Sequence, residues 1–278
     1  MGLLKKIAKF GIIYFMDNLI RMGKKWPSLI IILSLLILTL LPLYAQGSNT
    51  QEADFQWEPT EGGRYIRIIG YLGRQREISI PSQINAIAIT EIGKDAFSKN
   101  RLTGVNFPAS ITHIGNNAFF NNGLRGMVLP NGLIQIGENA FANNNLEGIT
   151  IPNSVIFIGS NAFHKNNLRG LVIPDSVTVI GDNAFSSNKL EGVVISGNVT
   201  SIGNSAFRNN RLRGIKIPDS VNSIGELAFT GNKITLIEIG QNVSMGKNAF
   251  DNSFMEFYET QGRKTGIYSL INRRWVAE

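Results

Sequence analysis

Apolar residues return along this chain with a period of 22, and the polar residues between them keep the same register. Counting from Leu102, Leu124, Leu146, Leu168, Leu190 and Leu212, positions one, four and six are aliphatic, as in Leu146, Ile149 and Ile151. Position seven is usually proline, position ten is aliphatic, and Ile-Gly fills positions thirteen and fourteen. Ala-Phe follows at seventeen and eighteen, ending in Phe97, Phe119, Phe141, Phe163, Phe185, Phe207 and Phe229, then in Phe250 one residue early. A fixed period of this length predicts a solenoid in which each repeat makes one coil. A lone coil buries too few side chains to offset the ordering of its backbone, so the coils must stack and share faces.

Positions four to six alternate and are β-branched, which predicts a short strand ended by the proline. Positions ten to thirteen predict a second short strand. Asn116, Ser160, Asp182 and Asn204 are helix-capping types just ahead of Ala-Phe, and they predict one helical turn there. The glycine at fourteen marks a tight corner that a Cβ would hinder. Position twenty-one is Asn100, Asn122, Asn144, Asn166, Asn188, Asn210 and Asn232. An amide offers both a donor and an acceptor, so this column predicts a structural ladder to the backbone of adjacent coils. Position two alternates in sign through Arg125, Glu147, Arg169, Glu191 and Arg213. At a spacing of about 4.8 Å between coils this column reads either as an ion-pair ladder or as independently solvated charges.

Positions three and five point away from the core. Position three is Gly104, Gly126, Gly148, Gly170, Gly192 and Gly214, which strips that face of side chains. Position five holds Val128, Thr150, Val172, Val194 and Lys216, an apolar strip running into charge. Exposed, such a strip is a candidate contact surface for a protein ligand. The alternative is that β-branched residues stand there because they suit a strand.

The net charge of +7 belongs mostly to the N-terminus. Residues 1–45 hold six bases and one acid; taking these from 27 and 20 leaves 21 and 19, a net of +2. A nucleic-acid partner is therefore not supported. Ser28 to Leu41 is almost wholly apolar, follows Arg21, Lys24 and Lys25, and leads to a small residue at Ala45. This is the layout of a secretory signal, with Met16 or Met22 as alternative starts. The apolar run is short for a membrane span, which needs about 20 residues. An uncleaved N-terminal anchor is the other reading, and would be the chain's one attachment to a membrane. Both send the rest across a membrane, to be secreted, held at the surface or outer membrane of a bacterium, or kept in the periplasm. The expected division is a signal at 1–45, a linker at 46–54, an N-terminal cap at 55–77, repeats at 78–252 and a C-terminal cap at 253–278.

Catalytic chemistry finds little material. There is no cysteine, and the two histidines, His113 and His164, fall in different columns two coils apart. No carboxylate cluster, phosphate loop, metal set or cofactor motif stands out, and the chain reads as a non-enzyme with no cofactor.

The run Pro-x-x-Val-x-x-Ile-Gly-x-x-Ala-Phe-x-x-Asn-x-Leu-x-x-Val-x-Ile-Pro resembles the BspA-like, treponemal-type leucine-rich repeats over about residues 65–252. The family usually carries Cys where this chain has Asn at position twenty-one. The resemblance implies a right-handed leucine-rich-repeat solenoid of about eight coils. Its parallel sheet would lie on the concave face, with short strands and helical turns on the convex face. It also implies a surface or secreted protein that binds proteins and adheres to host matrix or other cells. A self-assembling envelope protein without an external ligand is the alternative. Phe254 to Tyr258 and Gly266 to Trp275 resemble the aromatic C-terminal cap of spirochaete members.

Overall fold

The computed structural model describes residues 52–240 and 243–277. The expected leader at 1–45 and most of the linker at 46–54 lie outside the described residues. The elements run in order as β1 (Phe55–Pro59), β2 (Ile66–Tyr71), β3 (Glu77–Ser79), β4 (Gln83–Ile84), β5 (Ile87–Ile92), β6 (Gly104–Asn106) and β7 (His113–Ile114). Next come β8 (Gln135–Ile136), β9 (Phe157–Ile158), β10 (Gly170–Val172), β11 (Val179–Ile180), β12 (Gly192–Val194) and β13 (Ser201–Ile202). The array closes with β14 (Gly214–Ile217), β15 (Ser223–Ile224), β16 (Leu236–Ile239), β17 (Ser244–Met245), helix α1 (Asn252–Thr260), β18 (Gly266–Ile271) and β19 (Arg274–Ala277).

These elements make the stacked solenoid that the period predicts. Phe97 to Phe250 form one inner file, with neighbouring ring centroids 4.8–5.6 Å apart. The rings lie almost parallel, within 14°. Their spacing follows from the coil repeat, since strands pair about 4.8 Å apart. Phe55 and Tyr71 close the file at one end and Phe254 at the other.

Of the two expected strands, the second makes the long ladder. Residues at positions twelve and thirteen pair in parallel from β5 through β7, β8, β9, β11, β13 and β15 to β17, in one sheet that starts at β1. The strand at positions four to six is broken into separate short sheets: β3 with β6, β10 with β12, and β14-β16-β18-β19. No backbone hydrogen bond joins residues 126–129 or 148–151 to the coils on either side. Met127 and Ile149, at position four of these coils, are only partly buried, whereas Leu171 and Ile237 are 5% and 1% exposed.

The helical turn expected before Ala-Phe is replaced by a turn that bonds to its neighbour coil. Asn117, Asn139, Asn161 and Asn183 at position sixteen have φ between 53° and 58°, outside the right-handed helical region. Asparagine tolerates that conformation better than most residues. The N–H groups then donate forward: Asn117 to Glu138 O, Phe119 to Ala140 O and Asn121 to Ala142 O, at 2.7, 2.8 and 2.9 Å. The capping-type side chains serve the next coil as well. Asn116 Oδ1 accepts from Glu138 N at 2.9 Å, and Asp182 Oδ1 from Asn204 N at 2.7 Å.

The asparagine ladder at position twenty-one is present. Asn166 Oδ1 accepts from Leu146 N at 3.1 Å, while its Nδ2 donates to Phe141 O at 2.9 Å and Phe163 O at 3.2 Å. Each such amide ties its own coil to the one before, in a site 6–7% exposed for Asn144, Asn166, Asn188 and Asn210. Ser110, Ser154, Ser176 and Ser220 add a further column, each Oγ donating to a carbonyl of the preceding coil at 2.6–2.7 Å.

Candidate binding face

Every residue singled out at position five faces outward. Val128, Val172 and Val194 are 83%, 61% and 60% exposed, and Thr150 and Lys216 are exposed beside them. The alternation that buries Leu129, Leu171 and Ile215 sets these side chains on the opposite side of the chain. A Cβ added to Gly126, Gly148, Gly170 or Gly192 would meet nothing within 4 Å. The strip therefore stands beside bare backbone, open to an approaching molecule. In the coils of Val128 and Thr150 that backbone also lacks ladder bonds, so its donors and acceptors are free for a ligand.

The column ends in charge. Lys216 Nζ lies 2.6 Å from Glu238 Oε1, and this hydrogen bond raises the Lys216 pKa above its usual value. A groove of about 270 Å³ runs beside it, lined by Pro218, Asp219, Thr265 and Ile267. A second groove of about 310 Å³ flanks Val128 at the other end, lined by Phe107, Pro130 and Asn131.

The alternating charges at position two do not pair. No ion pair within 4.0 Å joins Arg125, Glu147, Arg169, Glu191 or Arg213, and all five are exposed. Long flexible side chains with full access to water gain little by meeting, so the solvated alternative describes this column. The histidines stand apart. His113 lies in the long ladder opposite Gln135, while His164 Nδ1 is 2.5 Å from Ser186 Oγ one coil on. Among the described residues no group of three or more metal-ligating side chains is brought together.

A second apolar patch escaped the sequence reading. Ile134, Ile156, Phe157 and Val179, at positions eleven and twelve, are 36%, 58%, 44% and 44% exposed on the outer side of the long ladder. The available signal was a departure from register. Other coils carry Thr112, Thr200 and Ser201 in these slots, and only the central coils turn apolar.

Comparisons with known proteins agree with this geometry. The family model described as BspA type leucine rich repeat region matches in six copies, over residues 90–212 and 178–268. A leucine rich cell surface protein from Faecalibacterium prausnitzii is similar at 26% identity and a TM-score of 0.63, over 82% of this chain and 57% of its own. A leucine rich repeat protein from T. pallidum is similar at 26% identity and 0.56, over 77% of this chain and 94% of its own. A leucine-rich repeat protein from Bacteroides ovatus shares the fold at 24% identity and 0.65, over 72% of this chain and 56% of its own. The chain thus spans little more than half of the Faecalibacterium and Bacteroides proteins. No curated protein matches its sequence.

Proposed function

This chain belongs to the BspA-type leucine-rich repeat family, and from that premise we propose that it is a non-catalytic binding protein displayed by or released from a bacterium. Its ligand is a protein of the host matrix or of another cell. Contact is made across several coils by Val128, Thr150, Val172, Val194 and Lys216. The observation that carries this reading is the exposure of the three valines beside a glycine column with nothing above it. Apolar anchors at the centre of an interface contribute most of its energy, while rim charges tune the encounter. Residues 1–45 act as the export signal in this reading. No helix among the described residues is long and apolar enough to cross a membrane.

The test is a binding screen of the exported protein on immobilised matrix proteins, with the triple variant Val128→Glu, Val172→Glu, Val194→Glu beside the parent. Loss of at least about 100-fold in affinity is expected from three buried anchors, with an unchanged thermal melt. Equal affinity in a variant that still folds would sink the site. Intact mass of the exported form tests the leader: a chain beginning at Gln46 supports cleavage, and one retaining residues 1–45 refutes it.

A further inference from the structure

The short sheet that begins at β14 ends on β19, and no described strand covers the far side of β19. An open edge is a template for another chain, and proteins guard such edges with proline, charge or a bulge. β1, the terminal strand of the long ladder, carries all of these: a register shift at Gln56/Trp57, then Glu58 and Pro59. β19 has neither proline nor bulge, and its pairing with β18 runs unshifted from Ile271↔Arg274 to Tyr268↔Ala277. We propose that β19 pairs antiparallel with β19 of a second copy of this chain, centred on Val276.

The backbone sets which groups are free to pair. Asn272 and Arg273, between β18 and β19, have φ of 49° and 64°, as a two-residue type I′ hairpin requires. Such a hairpin closes on a hydrogen-bonded pair, here Ile271 and Arg274. The antiparallel alternation then turns the N–H and C=O of Trp275 and Ala277 toward the open edge. With the centre on Val276, Trp275 meets the partner's Ala277, and Ala277 meets the partner's Trp275. Each such meeting is a hydrogen-bonded pair, so no edge group within the strand is left unmatched.

The side chains choose the same centre. Trp275 is 9% exposed on the inner face, and Arg274 is exposed on the outer one. A two-fold axis normal to the sheet keeps inner residues opposite inner residues, which demands a centre on a residue rather than between two. Centred on Val276, bulky Trp275 stands beside small Ala277, and Val276 beside its own copy. The run Trp275-Val276-Ala277 is thus complementary in size to itself read backwards. An unrelated strand would match it only by coincidence, whereas a second copy matches it by symmetry.

The pairing would merge two four-stranded sheets into one and set both position-five columns on the same side. It does not depend on what those columns bind.

The chain has no cysteine, so Val276→Cys introduces a single thiol. Directly opposite side chains in such a pair have Cβ atoms about 4.5–5.5 Å apart, near disulfide reach. Mild oxidation of the full-length chain should convert this variant to a covalent dimer, seen on a non-reducing gel. Gln56→Cys, on the guarded edge, should stay monomeric. Light scattering of the cysteine-free chain should show a concentration-dependent dimer. Ala277→Pro, which removes an N–H facing the open edge and none that pairs with β18, should weaken it on the order of tenfold. A folded Val276→Cys chain that cross-links no more than Gln56→Cys overturns the proposal. A folded Ala277→Pro chain that dimerises as the parent does overturns pairing through this edge.

Discussion

At position fourteen, a Cβ on Gly159 would lie 2.6 Å from Glu138 N and 2.7 Å from Gly137 C of the coil before; at position three, a Cβ on Gly148 would meet nothing within 4 Å. Both columns are glycine, and the reasons are opposite. The first brings backbones into contact where no side chain fits, and the second leaves backbone uncovered. The same division runs through the other columns. Positions fourteen, fifteen, eighteen, nineteen and twenty-one touch the neighbouring coil through rings, amides and carbonyls. The side chains at positions two, three and five mostly do not, with Asn106 on Ser79 and Lys216 on Glu238 as exceptions at the two ends of the strip. Here coils meet through backbone alone, as in Glu191 N to Arg169 O at 2.8 Å and the β10–β12 pair. The side chains on one side of the coil couple repeats into an array, and those on the other are free to vary. That is the division expected of a solenoid, whose stability is a sum over nearest-neighbour interfaces.

The largest expected effect is on the coupling side. Asn166→Ala would leave Leu146 N without its acceptor and take one of two asparagine donors from each of Phe141 O and Phe163 O, all in buried surroundings. At about 1–3 kcal/mol for the unpaired N–H, with a smaller loss from each of the two weakened carbonyls, the cost should be about 3 kcal/mol in denaturant unfolding. Phe163 O also accepts from Asn188 Nδ2 at 2.9 Å. Asn166→Ala and Asn188→Ala should therefore be non-additive, as sites sharing a partner are. Additive losses would mean that the ladder is a set of independent clips.

The glycine columns sharpen the comparison directly. Gly159→Ala forces a methyl onto backbone that cannot swing aside, and should cost about 1–3 kcal/mol. Gly148→Ala adds the same methyl to open space and should change stability by no more than about 1 kcal/mol, with a stabilising sign equally acceptable. Equal losses at the two positions would erase the distinction between the faces.

The coupling columns were largely legible in the sequence, because a residue that recurs every 22 positions must recur in one environment. The ring file, the asparagine ladder and the cramped corner at Gly137 and Gly159 all follow from that register. What escaped was the direction in which local groups bond. Asn116 ahead of Ala118-Phe119 is an equally good helix cap and an equally good donor-satisfier for Glu138 one coil away. Residue types alone cannot choose between the two. The charge column stayed open between two readings for a related reason: shared register gives proximity of backbones, while Arg169 and Glu191 reach into water in their own directions. The apolar slots at Ile156 and Phe157 were hidden because they break the repeat, and a reading built on the repeat passes over its exceptions.

A smaller effect depends on pH. Burial, then the positive charge of Lys165, holds the His164 pKa below the usual imidazole value of 6.5. Well above pH 6.5 the ring is neutral in folded and unfolded chains alike. As the pH falls through that value the unfolded chain takes up a proton that the folded chain resists, so stability declines with acid. A melt at pH 5.5 should therefore lie below one at pH 7.5, and His164→Ala should narrow the gap, since Ala142 already fills the same slot one coil earlier. An unchanged gap in the variant would place the acid sensitivity elsewhere.

The smallest effect is expected at position two, and its size is the point. Arg169 stands between Glu147 and Glu191 in register and pairs with neither. Arg169→Glu would set like charges in adjacent coils. If the column were an ion-pair ladder, two pairs would be lost and two repulsions gained, a change of roughly 1–2 kcal/mol at low salt. With each charge solvated on its own, the change should stay within about 0.5 kcal/mol and should not respond to added salt. Measuring unfolding of the parent and Arg169→Glu at low and high salt decides the matter. A salt-dependent loss would show that this face, too, is used to hold the coils in register, and the separation between coupling and presenting sides would have to be redrawn to place position two with Asn166 and Gly159.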